Sequence, residues 1–261
     1  MKKSETINYI TNWIQDYHNK NKVEGLVIGV SGGIDSALTS TLCALTGLKT
    51  LCLNMPIRQQ EKQFNRASKH IKWLKNKYNN VNSINIDLTP FFEKFQSTVD
   101  TNAEKSELAL ANSRSRMRML TLYYYAGINN SIVVGTGNKV EDFGIGFYTK
   151  YGDGGVDISP VADLMKSEVF ELSKHLKIND DILNAPPTDG LWDDDRNDED
   201  QIGVSYKDLE KIMLRLEKGE DPKGFSNKIK SYYEIYMGHH NANKHKMVEI
   251  PVCKIPSKLK L

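Results

Sequence analysis

Residues 26–40, LVIGVSGGIDSALTS, limit what this chain can fold into more than any other stretch. Five apolar residues run into two adjacent glycines and then into a helix-forming pattern. A short, unbroken apolar run bounded by glycine suits a strand buried on both faces, and such strands belong to parallel sheets covered by helices. Gly32 and Gly33 let the backbone turn tightly and bring its N–H groups near an anion, while Ser31 and Ser36 add hydroxyl donors. The helix that begins near Asp35 points its positive end at the same place. No stretch of the chain supplies the GxxxxGK-Ser/Thr of a Walker loop. Asp35 is out of place beside a phosphate unless a cation lies between them, which suggests Mg2+ shared by protein and phosphate oxygens. A capped helix start, with Ser31 as cap and Asp35 favouring the dipole, would account for one serine and one aspartate. It would not account for two glycines between strand and helix with hydroxyls on both sides.

The pattern predicts strands at 26–30, 50–55, 81–86 and 131–136. Between them it predicts helices at 35–45, 61–77 and 105–126, and one starting at Thr89 as cap with Pro90 in first position. Another helical pattern covers 164–176. The expected fold class is therefore α/β: a doubly wound, mostly parallel sheet flanked by helices. Loops after Val30, Asn54, Ile86 and Thr136 then share one edge of the sheet, where ligands of such folds bind. Residues 184–205 are rich in Pro, Gly, Asp and Asn and read as a long loop, with the acidic run 193–200 solvated. Helical patterns follow at 206–218 and 225–237. Without repeat or linker, the reading is one domain over 1–261, with a mobile loop 185–203 and a helical C-terminal segment 206–261.

Charge and cysteines exclude several classes. Thirty-five basic against 33 acidic residues leave a net charge of +2, which argues against a nucleic-acid surface. No apolar run is long enough for a membrane span, and the N-terminus looks like an amphipathic helix rather than a signal peptide. Cys43, Cys52 and Cys253 form no CxxC pair, and an odd count argues against a disulfide framework. Buried or incidental thiols in a reducing cytoplasm are the expectation.

Following a hydrophobic strand, SGGIDS resembles the pyrophosphate loop of the ATP pyrophosphatases, which cut ATP between its α and β phosphates. Within that superfamily, the segment 133–160, VVGTGNKVEDFGIGFYTKYGDGGVDISP, resembles the ammonia-dependent NAD synthetases, FYTKYGDGG being its most specific part. NSRSRMRM (112–119), Lys166, PPT (186–188) and HK (245–246) match in order and spacing, so the likeness runs from Val27 to about Pro251.

The resemblance implies that Gly29, Ser31, Gly32, Gly33, Asp35 and Ser36 hold ATP, with Thr136, Lys166 and Thr188 as further contacts and Arg58 an additional one. Lys166 is expected to face the phosphates. Asp35 and Glu141 become the ligands of Mg2+, an oxygen-only pair suited to that ion and poor for zinc. Arg116, Lys150, Asp157, His245 and Lys246 are assigned to deamido-NAD+. Arg114 and Arg118, four apart, share a helical face that Arg116 does not. Read without the resemblance, Glu141 is a surface acid, KYGDGG a surface turn and His-Lys part of a polar tail. The stretch GNKVEDFGIG is one residue longer than in several members, which leaves the Thr136–Glu141 spacing intact and alters residues 143–145.

The reaction implied is attack of the nicotinate carboxylate of deamido-NAD+ on the α-phosphorus of ATP. Ammonia then displaces AMP, and no side chain serves as covalent nucleophile. Glutamine-using members carry an added amidase domain, for which 261 residues with the ATP loop at Ser31 leave no room; free ammonia is the implied nitrogen source. The family is a homodimer, and the helix 105–126 with its LTLYYYAG could form the interface, although Tyr123–Tyr125 would also suit a core. A tRNA-thiolating relative would need a basic surface and a CxxC pair. A non-catalytic nucleotide sensor would not need two carboxylates and the dinucleotide set. An oxidoreductase fingerprint in VVGTGNKV fails because Val140 stands at its third glycine position.

Overall fold

The computed structural model describes residues 1–99, 103–188, 190–192 and 197–260. Its sheet comprises β1 (Gly25–Gly29), β2 (Lys49–Asn54), β3 (Val81–Asn85) and β4 (Ser131–Val134), all parallel, in the order β3-β2-β1-β4. Side chains alternate across a strand, so Leu26 and Ile28 enter one layer and Val27 the other. The first layer is covered by α1 (Lys3–Asn21), α2 (Ile34–Leu45), α3 (Glu61–Lys77) and α6 (Lys166–His175). The second is covered by α4 (Thr89–Thr98) and α5 (Ala103–Ile128). Full burial of each such aliphatic side chain contributes about 1.5–3 kcal/mol, which is why the apolar run takes an interior place in the sheet.

The chain lays strands outward from β1 to β3, then returns to the other side of β1 for β4. This reversal puts a crevice at the carboxyl ends of β1 and β4, the expected ligand position in an open α/β sheet. The pairing of Ile28 with Val134 brings those two strand ends level.

Beyond the sheet, α9 (Tyr206–Glu217) and α10 (Asn227–Met247) pack on a π-helix, Val140–Ile145. Over that stretch the i→i+5 bonds of the π-helix enclose one more residue than the i→i+4 bonds of an α-helix. Helix α10 runs well past the expected stop at 237, so His245 and Lys246 lie on a helix and not in a tail. Its polar residues serve carbonyls at the end of the π-helix: His240 Nδ1 lies 2.7 Å from Gly144 O, Asn243 donates to Ile145 O at 2.9 Å and Lys246 to Gly146 O at 2.8 Å.

Residues 184–205 are not one loop. They contain α8 (Asp198–Ile202), capped by Asn197, and α7 (Asp180–Leu183) precedes them. Asp198, expected in a solvated run, is only 5% exposed; 193–196 lie outside the described residues. Thr89 does not cap α4 either. Its hydroxyl accepts the Arg58 backbone N–H at 3.0 Å, and the Asp87 carboxylate takes the Thr89 N–H at 2.9 Å. Cys43 and Cys52 are buried and Cys253 is exposed, all as free thiols. No described helix is long and apolar enough to cross a membrane.

Candidate functional site

A cleft of about 250 Å³ opens at the ends of β1 and β4. The glycine loop forms one wall. Gly32 sits at φ +85°, and a Cβ there would lie 2.7 Å from Gln63 O on α3, so only glycine fits. Gly33 is free of that constraint: its φ is −89° and a Cβ would meet nothing closer than 3.4 Å. The Ser31 hydroxyl accepts the Gly33 N–H at 3.2 Å and lies 3.1 Å from Ser36 Oγ. Helix α2 has no side-chain cap, so Ser31 does not play the part a purely structural helix start would give it. The amide end of α2 faces the cleft, a placement that favours an anion.

Where the loop enters α2, three helix starts converge. Asp35 comes from the first turn of α2, Glu141 from the first turn of the π-helix, and Lys166 is the first residue of α6. Lys166 Nζ donates to Asp35 Oδ2 at 2.6 Å and to Glu141 Oε1 at 2.9 Å. Lys166 is thus held between the carboxylates rather than aimed alone at the loop. Asn138 donates to Asp35 Oδ1 at 3.0 Å, while its Oδ1 accepts the N–H groups of Val140 and Glu141. The Tyr206 hydroxyl donates to Glu141 Oε1 at 2.6 Å.

Burial would lower the Lys166 ammonium, but Asp35 and Glu141 outweigh it and hold it charged, above the usual lysine range. One ammonium cannot fully serve two buried carboxylates. Burial therefore leaves Asp35 above its ordinary value despite Lys166, whereas at Glu141 the same burial is outweighed by Lys166 and the Tyr206 hydroxyl, which carry it below its own. Asp142, also in the wall, is pushed up to about 8 by burial and by Glu141, Asp153 and Asp35. This side of the cleft gathers more carboxyl groups than Lys166 alone can balance once they ionise, and every one of them offers hard oxygens. A Mg2+ ion fits that chemistry. Among the described residues no group of three or more His, Cys, Asp or Glu could hold a metal ion. Two carboxylates with the remaining ligands from phosphate and water is the usual arrangement for Mg2+.

Gly29, Ser31, Gly33, Asp35, Ser36, Thr136, Glu141, Lys166 and Thr188 all line the cleft. Arg58 does not; its guanidinium meets Glu93 at 3.4 Å and lies over the Phe92 ring. Four of the five residues assigned to the dinucleotide gather elsewhere, at one rim. Exposed Arg116 donates to Lys150 O, Lys150 donates to His245 O at 3.0 Å, and Lys246 reaches Gly146 O and Tyr148 O. Asp157 stands apart. Its carboxylate accepts the Val133 N–H of β4 at 2.7 Å and the Tyr123 hydroxyl at 3.0 Å, fastening strand to helix. KYGDGG is no plain surface turn: a Cβ on Gly152 would strike Ser115 Oγ of α5 at 2.3 Å, so its close approach is to the protein itself.

Asn138, Asp142, Asp153, Arg118 and Tyr206 were not foreseen as site residues. Asp153, whose Oδ1 accepts from Ser115 Oγ and Thr149 N, stands inside KYGDGG, and Asn138 follows Thr136 by two residues; both had a local signal. Arg118, bonded to Met55 O and Gln59, had one in its helical face. Tyr206 had none.

A doubly wound parallel sheet with a lysine-free anion loop at its switch point defines a nucleotide-binding α/β protein. The NAD synthase family model matches residues 6–248. The chain is 37% identical to the NH(3)-dependent NAD(+) synthetase of Mycoplasma genitalium over 78% of its length and 80% of the relative's. Among solved structures, the NMN synthetase of Francisella tularensis superposes with a TM-score of 0.82 at 33% identity, covering 98% of this chain and 99% of that one. The NH3-dependent NAD synthetase of Campylobacter jejuni does so with 0.78 at 25% identity, covering 97% and 100%. The chain belongs to the NAD synthase family.

Proposed function

We propose that this protein amidates deamido-NAD+ with ammonia at the expense of ATP, giving NAD+, AMP and pyrophosphate. The observation that carries the proposal is the cleft in this family's chain, where an uncapped helix start adjoins a buried carboxylate–ammonium–carboxylate trio.

A carboxylate resists ammonia because its oxygen is a poor leaving group. The nicotinate oxygen attacks the α-phosphorus, the bond to the β-phosphate breaks, and pyrophosphate departs toward Ser31–Ser36. Ammonia then forms the C–N bond as the C–O bond to AMP breaks, and a proton is released. The loop amides and Ser31 bind and orient the phosphates, and Lys166 offsets charge on them. Asp35 and Glu141 would hold Mg2+, which when bound neutralises charge on the polyphosphate. Pro186, Pro187, Thr188, Leu191 and Asp198 line the cleft, which supports the segment 185–203 as the cover that excludes water from the adenylate. Thr136 and Thr188 make further ATP contacts. The rim group Arg116, Lys150, His245 and Lys246 takes the far end of the dinucleotide.

The protein acts as a single-domain homodimer in the cytoplasm. Leu120, Tyr124 and Ile128, exposed four residues apart along α5, support that helix as the subunit contact. Two observations favour a second reading, amidation of the nicotinate mononucleotide. The residues assigned to the dinucleotide lie outside the cleft, and a protein described as an NMN synthetase matches almost the whole chain.

The test is a product assay with ATP, Mg2+ and ammonium and each acceptor in turn. Equal amounts of AMP, pyrophosphate and NAD+ from deamido-NAD+ are expected. Turnover with the mononucleotide alone would establish the second reading, and intact ATP with both acceptors would reject the ligase.

A further inference from the structure

We propose that one face of α9 is a clamp that positions the Glu141–Lys166 pair, with Tyr206 and Glu210, one helical turn apart, as its two jaws. Tyr206 is 6% exposed, and its hydroxyl donates at 2.6 Å to Glu141 Oε1, the same oxygen that receives Lys166. The ring lies beneath the lysine, 4.8 Å from Nζ to its centroid. Glu210 holds the other side of the pair. Its two carboxylate oxygens accept the Ser167 N–H and the Ser167 hydroxyl, each at 2.7 Å, and so fix the first turn of α6 directly after Lys166.

These contacts divide the work. A charge-assisted hydrogen bond to Glu141 takes up part of its negative charge, which weakens its grip on Lys166 and leaves the ammonium free to answer a phosphate. The aromatic face stabilises the ammonium without competing for its hydrogens. Glu210 fixes the direction from which the lysine enters the cleft. The jaws sit on a rigid base, because Ser205 caps α9 and Leu209, Ile212 and Met213 anchor it in the apolar cluster over the π-helix. Asp198 Oδ2, 3.4 Å from the Tyr206 hydroxyl, and Glu199, which accepts the Tyr206 N–H at 2.8 Å, join α8 to the same point. Neither jaw touches a reacting atom; both act through Glu141 and Lys166.

The inference rests on the amidation reading only for its kinetic assay. In Tyr206→Phe, which keeps the ring, kcat/KM for ATP is expected to fall roughly 10- to 100-fold, the range of one hydrogen bond to a charged group. The KM for ammonium stays unchanged. Glu210→Gln is expected to lose in the same direction, and the double variant to lose less than the product of the two, because both jaws hold one pair. Binding of a non-hydrolysable ATP analogue, by calorimetry on the full-length protein, reads the clamp with no acceptor present. If the wild type binds the analogue but turns over neither acceptor, the amidation reading fails and the clamp is still decided by the binding series. Should Tyr206→Phe not fold, Glu210→Gln decides alone. Analogue binding and kcat/KM within twofold of wild type, a matching rise in KM for ammonium, or losses that follow thermal stability would overturn the clamp.

Discussion

His70 should make this protein acid-labile in a defined window. It lies on α3, fully buried against α2, with Nε2 3.0 Å from Ser40 Oγ and its ring stacked on Trp73. Burial lowers its pKa from 6.5 to about 4, opposed only in part by the carbonyl of Ala37. A folded-state value below the unfolded one means that the unfolded chain binds the extra proton. The stabilisation is complete above 6.5 and is lost as pH falls toward 4. Between about pH 7.5 and about pH 4.5 the loss from this one group is about 2.5 kcal/mol, or very roughly 5–10 °C in Tm for a chain of this size. The loosened contact lies behind the glycine loop, since α2 carries that loop and α3 packs on Gly32. Urea unfolding of wild type and His70→Gln across this range isolates the group, because other titrations are common to both. The wild type is expected to lose about 2.5 kcal/mol more than the variant over the window. Parallel pH profiles for the two proteins would refute the assignment.

Removing Lys166 and removing Glu141 should differ sharply in stability although both abolish turnover. Lys166→Met leaves two buried carboxylates facing each other at a cost of about 3–5 kcal/mol, whereas Glu141→Gln leaves the Lys166–Asp35 pair and costs about 1–3 kcal/mol. Denaturant melts of the two variants check this, and an equal or reversed order would contradict the trio. Gly32→Ala is expected to destabilise by at least about 1–2 kcal/mol through its left-handed backbone alone, with the collision at Gln63 O adding to it. Gly33→Ala should melt close to wild type, and thermal scans that rank the two the other way would show that the loop is held differently.

Local chemistry determined the frame of this protein. A strand buried on both faces must read as an unbroken apolar run, and a tight turn into an uncapped helix must carry glycine, so β1, Gly32 and the edge on which the cleft opens were all legible in LVIGVSGGIDSALTS. What the sequence could not determine were partnerships between distant residues. The resemblance carried by the sequence pairs Asp35 with Glu141 through a metal and sets Lys166 apart, facing the phosphates; that the two carboxylates share its ammonium depends on three helix starts meeting. The polar stretch after Met237 read as the end of a helix because its partners, the carbonyls of Gly144, Ile145 and Gly146, lie some 100 residues away. Tyr206 carried no signal, since a tyrosine after an acidic stretch resembles any other until tertiary packing sets its hydroxyl against Glu141. Hydrophobic period and backbone sterics act within a few residues and can be read along a chain. The pairing of buried polar groups is decided by which surfaces the fold closes on one another.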